Sequence, residues 1–203
     1  MWLNTATETG DQEARRASTM RATDELKDEH RVIEQVLQFY QGIAKAAEAD
    51  RDLPVGSLRD AIQFTRLYAD QYHHGKEEGV LFERLEQAGM PRERGPMGVM
   101  LTEHDEGRRC VASLAEAVER YAGGDRSAAT QIAEAAQGYA DLLAQHIYKE
   151  DNILYVMADQ LLSDDDEQIL AAYRGAARSD LGEEERRRLV EVAKRLADEA
   201  KRL

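Results

Sequence analysis

The stretch HHGKEEGVLF at residues 73–82 decides the fold, because it recurs in the same register as HIYKEDNILY at residues 146–155. Each copy contains a His, a Glu four residues later, and then an apolar pair, Leu81-Phe82 or Leu154-Tyr155. Residues four apart share one face of an α-helix, so a His and a Glu at this spacing can address one metal cluster together. A solvated charge run would not need the apolar pair. The repeat therefore predicts two helices that each point a His–Glu pair into a core.

The rest of the chain is predicted to be almost entirely helical, because the segments outside a few Gly/Pro breaks are rich in good helix formers. Three prolines, at positions 54, 91 and 96, fall in those breaks. We predict four long helices, at about residues 23–49, 57–89, 97–122 and 127–162. Short connections favour antiparallel neighbours, so the expected fold is an all-α, up-down-up-down four-helix bundle.

Three regions follow from this division of the chain. Residues 1–20 are polar and are expected to form a disordered tail. Residues 22–162 form the bundle, and residues 163–203 form a C-terminal helical extension with a short helix to about residue 177 and a last helix from residue 183. The last helix carries an apolar stripe, which we expect to pack against the bundle or against a twin chain in a homodimer. The stripe consists of Leu189, Ala193, Leu196, Ala200 and Leu203.

Composition excludes several classes of partner. Lys and Arg total 27 against 40 Asp and Glu, which gives a formal net charge of −13. A surface this acidic repels phosphate backbones and anionic lipids, so we expect neither nucleic acid nor a membrane as a partner. The single Cys110 cannot form an internal disulfide, and the first 20 residues contain no apolar run that resembles a signal peptide. These features predict a cytoplasmic protein.

Five histidines occur, and each of the four predicted helices contains at least one: His30, His73, His74, His104 and His146. At the rise of an α-helix, His30 and His73 lie roughly 28 and 23 Å from the shared end of their helices. His104 and His146 likewise lie at nearly equal distances from the shared end of helices three and four. Between helices two and three the corresponding distances differ by roughly 12 Å, which the connecting loop would have to absorb. One His in a helix is usually structural, but four helices with imidazoles at compatible heights favour a shared metal site.

These residues resemble the hemerythrin-like (HHE) cation-binding family, whose pattern is a His on helices one and three and His-x-x-x-Glu followed by Leu-Phe on helices two and four. The resemblance covers about residues 26–158. It implies a di-iron site with carboxylate and oxygen bridges in the middle of the bundle. The implied terminal ligands are His30, His73, His104 and His146, and the implied bridging carboxylates are Glu77 and Glu150.

The chain departs from that pattern at Arg108, where classical hemerythrins have a further His, so the fifth terminal ligand is open. Two octahedral irons offer about twelve positions, and the implied ligands with an oxygen bridge leave about two of them empty. A fifth ligand would leave one position for a small molecule. We favour His74 for this ligand, with Glu34 as the alternative because it stands four residues after His30. A register that pairs His74 with Glu78 is also open.

Competing metal sites fit the sequence less well. Zinc prefers four ligands, whereas this set is rich in carboxylates and imidazoles. Ferritin-like di-iron proteins need Glu-x-x-His on two helices, and no His in this chain has a Glu three residues before it.

The predicted function is binding or sensing of O₂ or a related small molecule such as NO or peroxide. The alternatives are a di-iron enzyme that consumes peroxide or NO, an iron-donating repair protein, and a structural bundle stapled by metal. Whether the chain is an enzyme is left open. The distinguishing feature is whether apolar residues seal the site or proton donors line it.

Overall fold

The computed structural model describes residues 20–176 and 181–203, and its regular elements are all helices. None of the helices in these residues is long and apolar enough to cross a membrane. The predicted disordered tail lies almost wholly outside the described residues. The elements are α1 (Ala22–Glu48), α2 (Val55–Phe64), π1 (Thr65–His74), π2 (Glu77–Leu81), α3 (Phe82–Gln87), α4 (Gly95–Ala122), α5 (Ala128–Lys149), π3 (Glu150–Leu154), α6 (Tyr155–Leu161), α7 (Asp166–Gly175) and α8 (Glu183–Ala200).

Four long rods result, which we name bundle helices 1 to 4. Bundle helix 1 is α1, bundle helix 2 runs continuously over residues 55–87, bundle helix 3 is α4, and bundle helix 4 runs over residues 128–161. Each begins and ends within about two residues of the predicted boundaries. Bundle helix 3 begins at Gly95, with Pro96 in its first turn, where a missing backbone N–H costs nothing.

Three π-helical segments interrupt bundle helices 2 and 4, and the sequence pattern did not predict them. They contain His73 and His74 in π1, Glu77 in π2 and Glu150 in π3. π-helical turns are rare and occur frequently at functional sites. Because such a turn holds more residues than an α-helical turn, residue counting overestimates the length of bundle helix 2. This difference accounts for part of the roughly 12 Å mismatch expected between helices two and three.

Two apolar clusters fill the interior. The large cluster includes Phe39, Ile43, Leu58, Leu114 and Ile132, and the small cluster includes Leu26, Phe82, Leu85, Met97 and Tyr155. Along every bundle helix, a short buried polar segment separates residues of one cluster from residues of the other. The fold therefore contains a polar layer, and that layer holds all five histidines.

The C-terminal extension covers the bundle with both of its helices. Ile169, Leu170 and Tyr173 of α7 join the small cluster, and Leu189 and Leu196 of α8 join the large one. The end of the chain also approaches bundle helix 1 closely, since a Cβ atom added at Gly42 would lie 3.2 Å from Cβ of Leu203. The apolar stripe of the last helix thus packs on the protein's own bundle, and a homodimer through this helix stays a prediction.

Candidate metal centre

The imidazole rings of all five histidines meet in the polar layer. Each of these residues is buried, with at most 6% of its surface exposed. His104 Nε2 lies 3.1 Å from His146 Nε2, and the ring centroids of His74 and His104 are 3.8 Å apart. The rings of His30 and His73 are 4.6 Å apart. The fold thus brings imidazoles from four bundle helices to one interior point.

Glu77 and Glu150 lie among these rings and are fully buried. Glu150 Oε1 is 3.2 Å from His146 Nε2, while its Oε2 is 3.2 Å from His30 Nε2. Glu77 Oε2 is 3.5 Å from His104 Nε2 and 3.8 Å from His73 Nε2. Each carboxylate therefore contacts imidazoles from two different helices.

The donor atoms fall into two groups within which all atoms lie no more than 4.8 Å apart. The three-imidazole group consists of His74, Glu77, His104 and His146, and the two-imidazole group consists of His30, His73 and Glu150. Glu150 connects the groups, because its Oε2 faces His30 of its own group and its Oε1 faces His146 of the other group. Each group could hold a metal ion, and Glu150 has an oxygen 3.2 Å from an imidazole of each group.

The structure also places the two candidates for the fifth terminal ligand. His74 lies inside the three-imidazole group. Glu34 lies outside both groups: its carboxylate is 38% exposed and accepts a hydrogen bond of 3.0 Å from Arg31. Glu78, the partner of His74 in the alternative register, accepts from His104 Nδ1 at 2.9 Å and does not belong to either group.

Several buried polar atoms in these groups lack a hydrogen bond of proper geometry within the described part of the chain. They are His73 Nε2, His74 Nδ1, Glu77 Oε2 and both carboxylate oxygens of Glu150. A buried polar atom without a partner costs roughly 1–3 kcal/mol, and more when it is charged. Imidazole nitrogens and carboxylate oxygens are the donors that iron accepts in proteins. A bound cation would satisfy these atoms, so the residues present fit a metal centre.

A ring of carboxylates surrounds the centre and binds the Nδ1 atoms of four of the five imidazoles. Each carboxylate comes from the bundle helix that precedes the helix of its imidazole, in the cyclic order 1, 2, 3, 4 and back to 1. The pairs are Glu29 with His73 at 3.0 Å, Glu78 with His104 at 2.9 Å, Glu103 with His146 at 3.0 Å and Asp151 with His30 at 2.7 Å. Such hydrogen bonds leave Nε2 free to bind a metal and orient the ring.

The orienting role of the four acids of this ring was not predicted from the sequence, although a signal for it was present. Glu29 precedes His30 and Glu103 precedes His104, while Glu78 follows Glu77 and Asp151 follows Glu150. Neighbouring residues on a helix point roughly 100° apart, so an acid beside a buried ligand faces the next helix of the bundle.

Lysine and arginine side chains on the outer side of the ring bind these carboxylates in turn. Lys76 Nζ donates to Glu29 at 2.5 Å, although the lysine side chain is only 2% exposed. Arg31 pairs with Asp151 and Lys149 pairs with Glu103. Arg108 donates to Glu78 at 2.6 Å and to Asp70 at 2.8 Å. The residue that departs from the family pattern therefore supports the carboxylate ring instead of supplying a ligand.

These contacts shift the pKa values of the metal-free site in opposite directions. Burial, together with the charge of neighbouring His104, lowers the pKa of His74 to about 3. Burial also disfavours the charged form of His146, but Glu150 and Glu103 outweigh it and raise its pKa to about 9. Burial raises the pKa of Glu77 well above its usual range, and the charge of Glu150 adds to this effect. The site thus holds protons that a cation would displace.

Tyr155 adds a phenol to the two-imidazole side. Its side chain is fully buried, and its Oη donates a hydrogen bond of 2.6 Å to Glu77 Oε1 and lies 3.5 Å from His30 Nε2. The Tyr155 ring stacks on His30 at a centroid distance of 5.6 Å. Phe82, the equivalent residue of the repeat, stacks on His104 at 6.1 Å without a hydroxyl. The second residue of each apolar pair therefore packs on an imidazole of one donor group, and Tyr155 adds a hydroxyl to this contact.

Fold and site together define a helical cation-binding protein with a buried His/Glu centre. The family model described as the Hemerythrin HHE cation binding domain matches residues 21–158. The chain belongs to this family, which confirms the resemblance seen in its sequence.

Two relatives are similar to this chain: the uncharacterized proteins Mb2018 of Mycobacterium bovis and Rv1995 of Mycobacterium tuberculosis. Each is 27% identical over 142 residues, which cover 70% of this chain and 55% of the relative. The chain thus spans about half the length of the curated relatives it matches. No solved structure matches it.

Proposed function

We propose that the chain is a non-haem di-iron protein that binds or senses a small molecule of the O₂, NO or peroxide class. The observation that carries the proposal is the pair of adjacent donor groups with Glu150 between them. Two neighbouring donor groups rich in imidazole and carboxylate suit iron better than zinc, which favours four ligands. The up-down-up-down order of the four bundle helices is also part of the proposal.

In this proposal the terminal ligands are the five histidines: His74, His104 and His146 for one iron, and His30 and His73 for the other. Glu77 and Glu150 are the bridging carboxylates. Five imidazoles, two bridging carboxylates and one further bridge fill about eleven of the roughly twelve positions of two octahedral ions. About one position then stays open for an exogenous molecule.

When bound, the iron pair would supply one- and two-electron redox chemistry toward a small oxidant. The residues of the chain have other tasks. The two apolar clusters exclude bulk water from the two ends of the layer, and the ring of carboxylates fixes the orientation of His30, His73, His104 and His146. Tyr155 Oη holds a proton at Glu77 Oε1.

A second candidate function is consumption of peroxide or NO, and Tyr155 is the observation that favours it. Reductive cleavage of an O–O bond requires a proton, whereas reversible binding of O₂ does not. The buried phenol at 2.6 Å from Glu77 Oε1 is such a donor.

The experiment begins with metal analysis of the purified protein, for which we expect about two irons per chain. The reduced protein is then mixed with O₂, NO or hydrogen peroxide in a stopped-flow spectrometer. A stable and reversible O₂ adduct supports binding or sensing, whereas repeated turnover of peroxide supports the enzyme. An iron-loaded protein whose spectrum responds to none of the three contradicts both.

Tyr155→Phe separates the two candidates further, with Tyr40→Phe as its matched control. Tyr40 is equally buried, but its phenol contacts Thr65 at 3.0 Å in the large apolar cluster. For an enzyme, loss of the Tyr155 hydroxyl should lower turnover by about 10²-fold or more. Loss of the Tyr40 hydroxyl should leave turnover unchanged.

A further inference from the structure

A cavity of about 180 Å³ lies beside the metal centre, between bundle helices 2, 3 and 4. Two of the side chains that line it, His74 and His104, belong to the three-imidazole group. At the other side, the exposed residues Arg66 and Ala112 also line it, so the cavity reaches the protein surface. It connects solvent with one of the two cation positions.

The cavity exists because of the sequence that follows His104. Gly107, one helical turn further along, is buried and has no side chain to fill the space. A Cβ atom added there would meet only Tyr139, at an ordinary contact distance of 3.5 Å. Arg108 lies at the wall of the cavity, where it donates hydrogen bonds to Asp70 and Glu78. Neither residue closes the approach to His104.

Size and charge limit what the cavity can hold. A water molecule takes up roughly 30 Å³, so the space would accommodate about six waters or a molecule of a few non-hydrogen atoms. Two arginines and two carboxylates, from Arg66, Arg108, Asp70 and Glu103, line it and compensate one another. Gly107, Val111 and Leu143 supply apolar wall. These walls favour a small molecule without net charge.

We propose that this cavity, bounded by His74, His104 and Gly107, is the entry chamber through which a small uncharged molecule such as NO, O₂ or hydrogen peroxide reaches the metal centre. The inference rests on the proposed function and adds the route and the side of approach. The proposed ligand set leaves its open position at the two-imidazole group. The cavity lies on the other side of the centre, so a molecule from solvent would pass the three-imidazole group before it reaches that position.

The test fills the cavity and measures how fast NO binds. Gly107→Leu projects a side chain into the chamber, and Ala112→Leu narrows it from the surface end. Gly138→Leu is the matched control, because Gly138 is an exposed helical glycine with no atom within 4 Å of its added Cβ. Iron content and the thermal midpoint of the metal-free proteins are measured first, and NO association with the reduced proteins is then followed by stopped-flow absorbance.

We expect NO association to be slower by about tenfold or more in Gly107→Leu, which corresponds to a barrier higher by roughly 1.4 kcal/mol, and to be slower in Ala112→Leu as well. Gly107→Ala should slow it less, and Gly138→Leu should match the unaltered chain. Unchanged association rates in both cavity variants, with iron present, would overturn the entry chamber alone. Absence of iron from the unaltered chain would overturn the proposed function itself.

Discussion

The apolar clusters and the polar layer of this bundle are built from the same four helices but obey different rules. In the large cluster, side chains such as Phe39 and Leu58 are buried and have no polar atom to satisfy. In the polar layer, Glu77 and Glu150 are equally buried, and oxygens of both lack a hydrogen bond of proper geometry in the described residues. The clusters stabilise the fold by themselves, whereas the layer is complete only with a cation.

This difference separates the residues that stabilise the fold from the residues that we propose to bind metal. Burial of apolar surface contributes roughly 25 cal/mol per Å² and does not depend on metal. Buried carboxylates and imidazoles cost free energy unless they are paired or bind metal. We therefore expect changes in the layer to alter metal content and changes in the clusters to alter stability.

The largest effect is expected for Glu150→Gln, which should lower iron from about two per chain to less than one. The reason is that Glu150 has an oxygen at 3.2 Å from an imidazole of each group. Metal analysis measures the loss. Glu34→Gln is the matched control, since Glu34 is a surface partner of Arg31. Equal iron in both variants would contradict the assignment of Glu150, and loss of iron in Glu34→Gln would restore Glu34 as a ligand.

In the large cluster, Leu58→Ala should lower the free energy of unfolding by about 2–5 kcal/mol, because a fully buried Leu leaves a cavity when truncated. Iron content at saturation should not change. Chemical denaturation measures the first quantity and metal analysis the second. Leu161→Ala, at a residue 47% exposed, should cost far less. Loss of iron in Leu58→Ala with the fold intact would show that the two regions are not separate.

For the carboxylate ring, Glu103→Gln should weaken iron binding by about 10- to 100-fold while the centre still forms. Glu103 orients His146 through a hydrogen bond of 3.0 Å to Nδ1 but belongs to neither donor group. Competition with a chelator measures the affinity. Glu119→Gln, which breaks only a surface pair with Arg59, serves as control. Equal iron affinities in the two variants would contradict the orienting role of the carboxylate ring.

The smallest effect concerns the pH dependence of the metal-free protein. Because the pKa of His146 is raised from 6.5 to about 9 in the folded state, the folded chain keeps a proton that the unfolded chain releases. This contribution to stability is complete below pH 6.5 and is lost as pH rises through 9. We expect a decrease on the order of 1–2 kcal/mol between pH 7 and 9.

Denaturation of the chelator-treated protein at several pH values measures this decrease. His146→Gln should reduce the decrease, since glutamine does not titrate. A stability of the unaltered protein that rises from pH 7 to 9 would contradict the charged state of His146.

Sequence reasoning reached the family and the helical fold because both depend on residue spacing, and these expectations are confirmed. It also favoured His74 over Glu34, and the structure brings His74 to the centre. It missed the π-helical segments at Thr65–His74, Glu77–Leu81 and Glu150–Leu154, because hydrogen bonds five residues apart leave no compositional signal. The role of Arg108 was also out of reach, because its partners Asp70 and Glu78 lie on another helix.

The central claim is that the polar layer holds two iron ions on either side of Glu150. Crystals of the iron-loaded protein measured at the iron absorption edge test this claim most directly, because the anomalous difference map locates iron alone. The account predicts two peaks, one within reach of His74, His104 and His146 and one within reach of His30 and His73. A single peak, or peaks only among surface carboxylates, would contradict it.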